Sequence, residues 1–332
     1  MSKNRILVTG GAGTIGAALV NALISENNVM CVFDNNEDGL FKLDQEFVNH
    51  PHKNNIRTFL GDVRDLERLE RAMEGVEQIY HCAALKHVYL SEYNPFDTVK
   101  TNLDGVTNVI NAAIKQRVKK VVFTSSDKAV NPTSAMGASK LLGEKLIIAA
   151  NGQVGENGTR FSCVRFGNVL NSKGSVLQIF KKQIENNKPL TITSVNMTRY
   201  FITMSEAVDL CIFACENMLG GEIFISNMGA TDILSLAKAY CNNDNPEYIV
   251  IGEKIGEKLY EELITEEELK RTVKYEDRFV ILPDLNAAFL LDTKTLFDKR
   301  YSQCKKLTKV MRSDTDLIDF FSLRRLMERA KN

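Results

Sequence analysis

The sequence has no excess of charge of either sign. Its 42 lysine and arginine residues balance 42 aspartate and glutamate residues, which leaves a formal net charge of zero at pH 7. Proteins that hold nucleic acid or an anionic membrane surface by bulk charge carry a basic bias. We therefore expect neither nucleic acid nor a membrane among the partners of this chain.

The sequence also lacks long apolar runs and the features of a secretory leader. No apolar run is long enough to span a bilayer, and the first residues, MSKNRILVTGG, do not resemble a signal peptide. Seven cysteines are scattered without the spacing of metal ligands, and their number is odd. Because these features favour reduced, buried thiols, we expect a soluble, cytoplasmic protein that holds no metal.

Internal repeats, low-complexity tracts and linkers rich in proline or glycine are absent as well. The chain nevertheless has enough material for a large core, since 44% of its 332 residues are hydrophobic. One large domain and a domain with an appended lobe are both compatible with this length. Without a linker, a second lobe should be folded onto the first.

The first half of the chain alternates short β-branched runs with helical patterns. Such alternation predicts an α/β fold with a doubly wound parallel sheet of the Rossmann type and right-handed crossovers. The predicted strands are RILVTG (5–10), VMCVFD (29–34), IRTFLG (56–61), QIYHCAA (78–84), KKVVFTS (119–125) and RFSCVRFG (160–167).

The alternation ends near residue 170. The elements predicted beyond it are a helix at 174–184, a short strand at 189–193, a helix at 205–218 and a strand at 222–226. We therefore predict a Rossmann domain at 1–170, with a strand near 222–228 that returns to its sheet. Residues 171–332 are predicted to form mainly a smaller C-terminal lobe.

A glycine-rich segment, TGGAGTIG (9–16), follows the first predicted strand and opens a helix. The spacing G-x-x-G-x-x-G suits a tight turn, a close approach to a pyrophosphate and helix-to-strand packing, and the helix N-terminus offers free N–H groups to phosphates. The alternative, a glycine turn without a ligand, is disfavoured by this context. The residues expected to contact a dinucleotide here are Gly10, Gly13, Thr14, Ile15 and Gly16.

Asp34 ends the second predicted strand, about where a carboxylate that accepts hydrogen bonds from the adenosine ribose is expected. Asn35 and Asn36 follow it and provide no cation for a 2′-phosphate, which favours NAD over NADP. The first domain is therefore predicted to bind NAD. The further cofactor contacts expected after the next two strands are Asp62, Val63, Ala83 and Ala84.

A tyrosine is missing from SSDKAVNPTSAMGASK (125–140). Many nicotinamide-dependent enzymes carry Tyr-x-x-x-Lys at such a place, and here Met136 stands four residues before Lys140. A thioether cannot take a proton from an alcohol. The site is therefore either inactive or uses other side chains for proton transfer.

Several stretches between the glycine segment and about residue 265 resemble the extended short-chain dehydrogenase/reductase superfamily. Within it, the chain is similar to the nucleotide-sugar 4,6-dehydratases of the polysaccharide-biosynthesis family, some of which carry methionine in place of the tyrosine. Besides the segment with Met136, the matching stretches are AALKHVYLSEYNP (83–95), TNLDGVTNV (101–109), RFGNVLNSKGSV (165–176), MTRYFITMSEA (197–207) and GEKLYEELI (256–264).

The resemblance implies a lyase that converts a nucleotide-linked N-acetylglucosamine to the 4-keto-6-deoxy sugar, with UDP favoured as the nucleotide and GDP as the alternative. In that reaction C4 is oxidised by hydride transfer to NAD, the C5 proton and the 6-hydroxyl are lost as water, and the hydride returns to C6. The product would serve the synthesis of surface glycans or nonulosonic acids. The C-terminal lobe would then bind the nucleotide sugar.

The resemblance assigns the proton chemistry to neighbouring residues. It implies Asp127 as the acid, Lys128 as the base at C5 and Ser126 as the hydrogen-bond partner of the 4-hydroxyl. Lys140 would hold the nicotinamide ribose, and burial together with the Lys140 cation should leave Lys128 partly neutral. Asp127, directly or through water, is favoured as acceptor of the 4-hydroxyl proton. The alternative is that Asp127 and Lys128 are a solvated surface pair.

The resemblance also indicates a substrate side of the site. Arg199 and Asn168 match positions that contact the diphosphate, although Arg199 could instead pair with Glu206 and Asn168 could cap a turn. Lys86 and His87 border the sugar pocket, where a histidine often only satisfies a backbone carbonyl. The expected substrate-binding residues are Lys86, His87, Asn168, Lys173, Arg199 and Glu257.

The chain departs from the family pattern in two segments. Lys173 stands where an arginine is common, and Lys254 and Ile255 stand where an Arg-Pro pair is common. Lysine keeps the charge of arginine but loses its two-pronged hydrogen bonding. These changes bear on how the diphosphate is held and on which base the nucleotide carries.

Two rival functions share this fold. A nucleotide-sugar 4-epimerase returns the hydride to C4 and normally keeps the tyrosine, so Met136 together with Asp127 and Lys128 disfavours it. A non-catalytic Rossmann protein that senses NAD(H) and has lost the tyrosine would need none of Asp127, Lys128 and Arg199, nor a sugar-binding lobe. The dehydratase is therefore the leading hypothesis.

A homo-oligomer, at least a dimer, is expected from the same resemblance. Residues 92–115 and 136–146 resemble the helix pair that forms a four-helix interface in this superfamily, and Val106, Val109 and Ile110 would line it. Packing of these three side chains against the sheet is the alternative.

Overall fold

A computed structural model of the chain describes residues 3–155, 158–284 and 294–330. Strands and helices alternate through the first half, and each of the six strands predicted there is present. The strands are β1 (Asn4–Thr9), β2 (Asn28–Asp34), β3 (Ile56–Leu60), β4 (Gln78–His81), β5 (Lys120–Ser126), β6 (Arg160–Phe166), β7 (Asn168–Val169), β8 (Leu190–Ile192), β9 (Thr198–Ile202), β10 (Ile223–Ser226), β11 (Gly229–Asp232), β12 (Tyr248–Val250), β13 (Thr272–Tyr275), β14 (Arg278–Ile281) and β15 (Lys305–Lys306).

The helices cover both faces of the main sheet and support the second lobe. They are α1 (Thr14–Leu23), α2 (Glu37–Glu46), α3 (Leu66–Ala72), α4 (Val88–Tyr93), α5 (Pro95–Val99), α6 (Gly105–Lys115), α7 (Ala135–Ala150), α8 (Val176–Glu185), α9 (Met204–Asn217), α10 (Ile233–Cys241), α11 (Glu266–Leu269), α12 (Lys294–Tyr301) and α13 (Phe320–Arg329).

Ten of these strands form the main sheet, in the spatial order β15-β13-β14-β10-β6-β5-β4-β1-β2-β3. The strands from β3 to β10 in this order are parallel, and β14, β13 and β15 are antiparallel to their neighbours. The predicted α/β fold with a doubly wound parallel sheet is confirmed. Because the chain moves outward from β1 to β3 and resumes on the other side at β4, a crevice opens at the carboxyl ends of β1 and β4.

The main sheet draws strands from both halves of the chain. β10 pairs in parallel with β6. The segment 272–284 was expected to give one closing strand of the second lobe, but it forms β13 and β14, which together with β15 extend the main sheet as antiparallel strands. These strands are two to four residues long, which is too short for a hydrophobic period to show. The boundary at residue 170 stays a prediction, since residues on both sides of it contribute to the same core.

The second lobe has a smaller core of its own. β11, β9 and β7 form a three-stranded sheet, and β12 pairs in parallel with β8. A separate hydrophobic cluster includes Phe180 on α8, Leu236 on α10 and Leu323 on α13. Leu177 and Met197 of this cluster also line the site described below, so the cluster supports one wall of it.

A side-chain cap marks the start of α7, the helix that carries Met136 and Lys140. The Ser134 side chain caps the helix by accepting a hydrogen bond from Gly137 N (3.1 Å). A Cβ on Gly137 would lie 2.4 Å from the carbonyl oxygen of Lys128. The absence of a side chain therefore lets α7 pack directly on the turn that follows β5.

Val106, Val109 and Ile110 lie on α6 and are buried in the core of their own chain. For these residues, packing within the chain is correct and the interface assignment is wrong. Exposed apolar side chains lie instead on α4 and α5, where Tyr93 and Phe96 are 80% and 82% exposed. The homo-oligomer itself stays a prediction.

The cysteines are all unpaired, and Cys82, Cys241 and Cys304 are only partly buried. The expectation of buried thiols is therefore correct for the other four only. No helix in the three described segments is long and apolar enough to cross a lipid bilayer.

Candidate active site

A cavity of about 520 Å³ lies where β1, β2 and β4 end. Apart from Lys140, each residue predicted to contact the cofactor lines this cavity. These residues are Gly10, Gly13, Thr14, Ile15, Gly16, Asp34, Asp62, Val63, Ala83 and Ala84. The local patterns that predicted them follow four separate strands, β1 to β4, and the fold brings them to one edge of the sheet.

The glycine segment fits a pyrophosphate closely. Gly10 has a φ of +66°, and a Cβ there would lie 2.7 Å from Ala83 N. A Cβ on Gly16 would lie 2.2 Å from the carbonyl oxygen of Gly10. α1 begins at Thr14, and Gly13 before it has no side chain to bond the free N–H groups of the first turn. These N–H groups and the helix dipole are therefore available to an anion.

Two carboxylates form the rim of this cavity on the side of β2 and β3. Asp34 accepts hydrogen bonds from Ala12 N (3.0 Å) and Asn36 N (2.9 Å), and so ties the glycine segment to the end of β2. Asp62 accepts hydrogen bonds from the Arg64 guanidinium at 2.9 and 2.6 Å. The hydrogen bond from Arg64 lowers the pKa of Asp62 to about 2, against the opposing effect of partial burial. The rim therefore offers the acceptors that ribose hydroxyls require.

A second cavity, of about 550 Å³, adjoins the first, because both are lined by Thr14, Lys86 and Lys173. It lies between the end of β5, the start of α7 and the second lobe. Met136 lines it together with every predicted catalytic and substrate-binding residue except Asp127. Those residues are Lys86, His87, Ser126, Lys128, Lys140, Asn168, Lys173, Arg199 and Glu257.

Asp127 is fully buried behind this wall, directly after β5. Its Oδ1 accepts hydrogen bonds from Ser126 Oγ (2.8 Å) and Lys128 Nζ (2.9 Å). Its Oδ2 is buried and has no hydrogen-bond partner among the described residues. A solvated surface pair is therefore the wrong description of Asp127 and Lys128. Any exchange between Asp127 and a ligand in the cavity has to pass through Ser126 or Lys128, which line it.

The Lys128 side chain is 22% exposed, and its ammonium group has several polar neighbours. Besides its bond to Asp127, it donates to Asn168 Oδ1 (3.1 Å) and lies 3.8 Å from Glu261 Oε1. Burial by itself lowers the pKa of Lys128, but Asp127 and Glu261 outweigh both burial and the Arg199 cation, so that the pKa is raised. The expectation of a partly neutral amine is therefore wrong.

Lys140 differs from Lys128 in that its pKa is lowered. Its ammonium donates to the carbonyl oxygen of Thr124 (2.8 Å) and lies 4.6 Å from the centre of the Phe123 ring. Burial lowers the pKa of Lys140 to about 8, and the more distant groups that oppose this shift, including Glu144, do not compensate for it. Lys140 lines the second cavity rather than the first, next to the end of β5.

Arg199 lies on β9 and is almost completely buried. Its guanidinium donates to the carbonyl oxygen of Thr198 (2.8 Å) and lies 3.8 Å from Glu261 Oε1. It does not pair with Glu206, which caps α9 by accepting a hydrogen bond from Thr203 N (2.9 Å). Arg199 is therefore held at the cavity wall by the second lobe, with its cation available to a ligand.

Lys86 and Lys173 meet where the two cavities join. Lys86 Nζ donates to the carbonyl oxygen of Lys173 (2.9 Å), and Lys173 Nζ lies 3.4 Å from the carbonyl oxygen of Ala12 in the glycine segment. Burial and the Lys173 cation lower the pKa of Lys86, and burial and the Lys86 cation lower the pKa of His87. Lys173, predicted only for the substrate side, thus lines the cofactor side as well.

The sequence profile of a family described as polysaccharide biosynthesis protein matches residues 6–283. The chain belongs to this family. Its placement in the extended short-chain dehydrogenase/reductase superfamily is confirmed by the same match and by the fold. The stretches that carried the resemblance all lie within the matched residues.

Curated relatives of the chain include proteins named as enzymes and one named as an uncharacterized membrane protein. The chain is 40% identical to a UDP-N-acetylglucosamine 4,6-dehydratase (inverting) of Campylobacter jejuni over 283 residues, 84% of this chain and 83% of that one. It is 37% identical to a UDP-glucose 4-epimerase of Rickettsia rickettsii over 289 residues, again 84% and 83%. It is 44% identical to the uncharacterized membrane protein MJ1061 of Methanocaldococcus jannaschii over 322 residues, 92% and 95%.

A solved family structure has the same architecture over almost the whole chain. The X-ray structure of Pen from Bacillus thuringiensis superposes with a TM-score of 0.89 at 38% identity and covers 99% of this chain and 98% of that one. The described parts of the second lobe therefore belong to the shared fold and are not an addition peculiar to this sequence.

Glu261 is the site residue that the sequence reasoning missed. It lies in GEKLYEELI, a family stretch from which only Glu257 was selected. Glu261 is 2% exposed and contacts Lys128 and Arg199, both of which line the second cavity. The signal was available, since acidic residues recur in that stretch, but nothing local to it distinguishes the buried carboxylate from the half-buried Glu257 and Glu262.

Proposed function

We propose that this protein is an NAD-dependent 4,6-dehydratase of UDP-N-acetylglucosamine or the corresponding GDP-sugar, a lyase that supplies 4-keto-6-deoxy sugars for surface glycans or nonulosonic acids. The observation that carries the proposal is the group formed by Ser126, Asp127 and Lys128 at the end of β5. It combines a carboxylate with a hydroxyl at 2.8 Å and an amine at 2.9 Å from the same carboxylate oxygen, and Met136 at the tyrosine position lines the same cavity. The dehydratase of Campylobacter jejuni, at 40% identity, supports the same reaction.

The first cavity would hold NAD. The glycine segment and the N-terminus of α1 would bind the pyrophosphate, Asp34 would accept the adenosine ribose hydroxyls, and Lys140 would contact the nicotinamide ribose. When bound, NAD supplies the hydride acceptor for C4 and the hydride donor for C6. Asn35 and Asn36, beside Asp34, add no cation that would select a 2′-phosphate.

Ser126 offers a path for the proton of the 4-hydroxyl. Its Oγ lines the second cavity and donates to Asp127 Oδ1 at 2.8 Å. A hydroxyl in this position can accept a proton from the sugar while it passes its own to the carboxylate. Asp127 would thus act without touching the sugar, through the serine.

The pair formed by Asp127 and Lys128 would carry out the elimination. A C5 base must be unprotonated and the acid that serves the 6-hydroxyl must be protonated. The surroundings hold the proton on Lys128 in the resting protein. Asp127 would become the acid by taking the 4-hydroxyl proton through Ser126, and Lys128 would have to give its own proton to solvent before it can take the C5 proton.

The second lobe would bind the nucleotide diphosphate. Arg199 presents a guanidinium at the cavity wall, and Lys86 and Lys173 add cations where the two cavities join. Asn168 has its side-chain oxygen directed at Lys128 Nζ (3.1 Å), so its amide group rather than its oxygen is available to a ligand. The cationic lining suits a diphosphate anion.

A 4-epimerase is the second candidate, because relatives named as UDP-glucose 4-epimerases match at 37% identity. Met136 disfavours it, since an epimerase normally takes the 4-hydroxyl proton with a tyrosine at that place. The two reactions differ in mass: a dehydratase removes one water from the sugar, and an epimerase leaves the mass unchanged.

The deciding experiment incubates the purified protein and NAD with UDP-N-acetylglucosamine, GDP-N-acetylglucosamine and UDP-glucose in separate reactions. Mass spectrometry should show the loss of one water from an N-acetylglucosamine nucleotide, and the same incubation with Lys128→Ala serves as the control. Interconversion of UDP-glucose and its C4 epimer without loss of water would establish the epimerase instead. No change in any nucleotide sugar would refute both enzymatic assignments.

A further inference from the structure

A buried carboxylate on the second lobe faces the cations of the site. Glu261 Oε1 lies 3.8 Å from Lys128 Nζ and 3.8 Å from Arg199 Nε, and its Oε2 lies 3.1 Å from Lys258 Nζ. Oε2 accepts no well-directed hydrogen bond within the described residues, so the contact with Lys258 is an ion pair. Glu261 does not line either cavity. It therefore acts on a ligand only through the cations it holds.

These cations come from different parts of the fold. Lys128 follows β5 of the main sheet, Arg199 is on β9, and Lys258 is on the same loop as Glu261. A buried carboxylate is stable only when it is paired, and here one carboxylate is shared among three cations. The backbone of Glu261 is anchored in turn, because its N–H donates to Ser313 Oγ (2.8 Å). Glu261 thus joins the second lobe to the end of β5.

The charge balance around Lys128 depends on Glu261. The charged groups that face this cluster are Asp127 and Glu261 against Lys128, Arg199 and Lys258, and Asn168 and Tyr200 are the uncharged polar neighbours. Two carboxylates face three cations, a net charge of one positive unit. Without the Glu261 charge, Asp127 would be the one carboxylate facing all three cations. The repulsion between Lys128 and Arg199 would then no longer be compensated.

We propose that Glu261 is a positioning residue that fixes the Lys128 and Arg199 side chains and keeps Lys128 protonated in the resting protein. The Glu261 carboxylate stabilises the ammonium form of Lys128, so this form persists to higher pH than it would without Glu261. The consequence for catalysis rests on the proposed function, in which Lys128 must lose its proton to act at C5. Together with Asp127, Glu261 would then set the pH above which the amine becomes a base.

The charge state can be measured without any substrate. Wild type, Glu261→Gln and Glu262→Gln are labelled briefly with acetic anhydride over a series of pH values, and mass spectrometry follows acetylation of the peptide that carries Lys128. Glu262 is the matched control, because it is the adjacent glutamate and its side chain bonds Asn131 (2.7 Å) outside the cluster. Thermal denaturation of the three proteins establishes that each is folded.

In the wild type, Lys128 should become reactive only above the pH typical of an ordinary lysine. In Glu261→Gln the midpoint should fall by about one pH unit, and in Glu262→Gln it should be unchanged. Equal midpoints in all three proteins would overturn the proposal. A wild-type midpoint below that of an ordinary lysine would also overturn the proposal. This measurement needs no variant, so it tests the proposal even if Glu261→Gln does not fold.

The pH dependence of water loss tests the catalytic consequence. If Lys128 is the base, the limb on which the rate rises with pH should move to lower pH in Glu261→Gln by the same amount as the labelling midpoint. A shifted labelling midpoint with an unshifted rate limb would overturn the catalytic consequence of the proposal. Absence of water loss in the wild type would refute the proposed function, while the labelling result would still decide the role of Glu261.

Discussion

Replacing Lys128 by alanine removes the amine that lies 2.9 Å from Asp127 Oδ1 and 3.1 Å from Asn168 Oδ1. We expect Lys128→Ala to lose water production from the nucleotide sugar, because this amine is the proposed acceptor of the C5 proton. Removal of a positioned general base costs about 10²–10⁴-fold in rate. Some bound NAD should still be reduced in a single turnover, since oxidation at C4 precedes the step that Lys128 serves.

The same change has a cost in stability that the structure bounds. It leaves Asp127 fully buried, with the Ser126 hydroxyl as its one hydrogen-bond donor among the residues described. Breaking a fully buried ion pair costs about 3–5 kcal/mol, and the partial exposure of Lys128 reduces this to about 2 kcal/mol. Because domains are stable by about 5–15 kcal/mol, the variant should fold, and chemical denaturation measures the loss.

Met136→Leu is the matched variant for the activity measurement. Met136 is 3% exposed and lines the same cavity, and leucine has a similar volume, so the exchange should cost less than about 1.5 kcal/mol. Since no proton transfer is assigned to position 136, much of the activity should persist. Mass spectrometry measures water loss, and incorporation of solvent deuterium at C5 measures proton exchange, which should be absent in Lys128→Ala.

The result that refutes this reasoning is the opposite ranking. If Lys128→Ala dehydrates at close to the wild-type rate while Met136→Leu is inactive, Lys128 is not the base. Lys86 and His87 would then be the next residues to test, because both line the cavity and carry lowered pKa values.

Three other predictions follow from particular contacts. Asp34→Arg should weaken NAD binding roughly tenfold or more, because the ribose acceptor is lost together with its hydrogen bonds from Ala12 N in the glycine segment and from Asn36 N; equal affinities in calorimetry would contradict this. Burial lowers the pKa of Lys140 to about 8 from an ordinary 10.5, so the unfolded chain binds the extra proton between these values. The free energy of unfolding of the wild type, measured relative to Lys140→Met, should therefore rise by on the order of 3 kcal/mol from pH 8 to 10.5. A difference in denaturation midpoints that does not change with pH would contradict this prediction. The protein should be at least dimeric by light scattering at micromolar concentration, and Tyr93→Ser with Phe96→Ser should shift it toward the monomer; a monomeric wild type would refute the homo-oligomer.

The sequence alone determined the parallel part of the sheet and the cavity that would hold the cofactor, because both depend on short local patterns. Six β-branched runs predicted six strands, and all six are present. The glycine segment follows β1 directly, and Asp34 ends β2, so their positions on the sheet edge follow from the order of strands. Asp127 and Met136 could be placed for the same reason, since one follows β5 and the other begins the next helix.

Only the tertiary structure decided the charge on Lys128. Burial was foreseeable from its place after a strand, and burial alone predicts a lowered pKa. Asp127 and Glu261 together reverse this prediction, and Glu261 reaches Lys128 from the second lobe. In the same way, Arg199 contacts Glu261 and not Glu206, although Glu206 is much closer to it in sequence; Glu206 instead caps α9. The energy of two charges depends on their separation in space and on the dielectric between them, and neither quantity is set by distance along the chain.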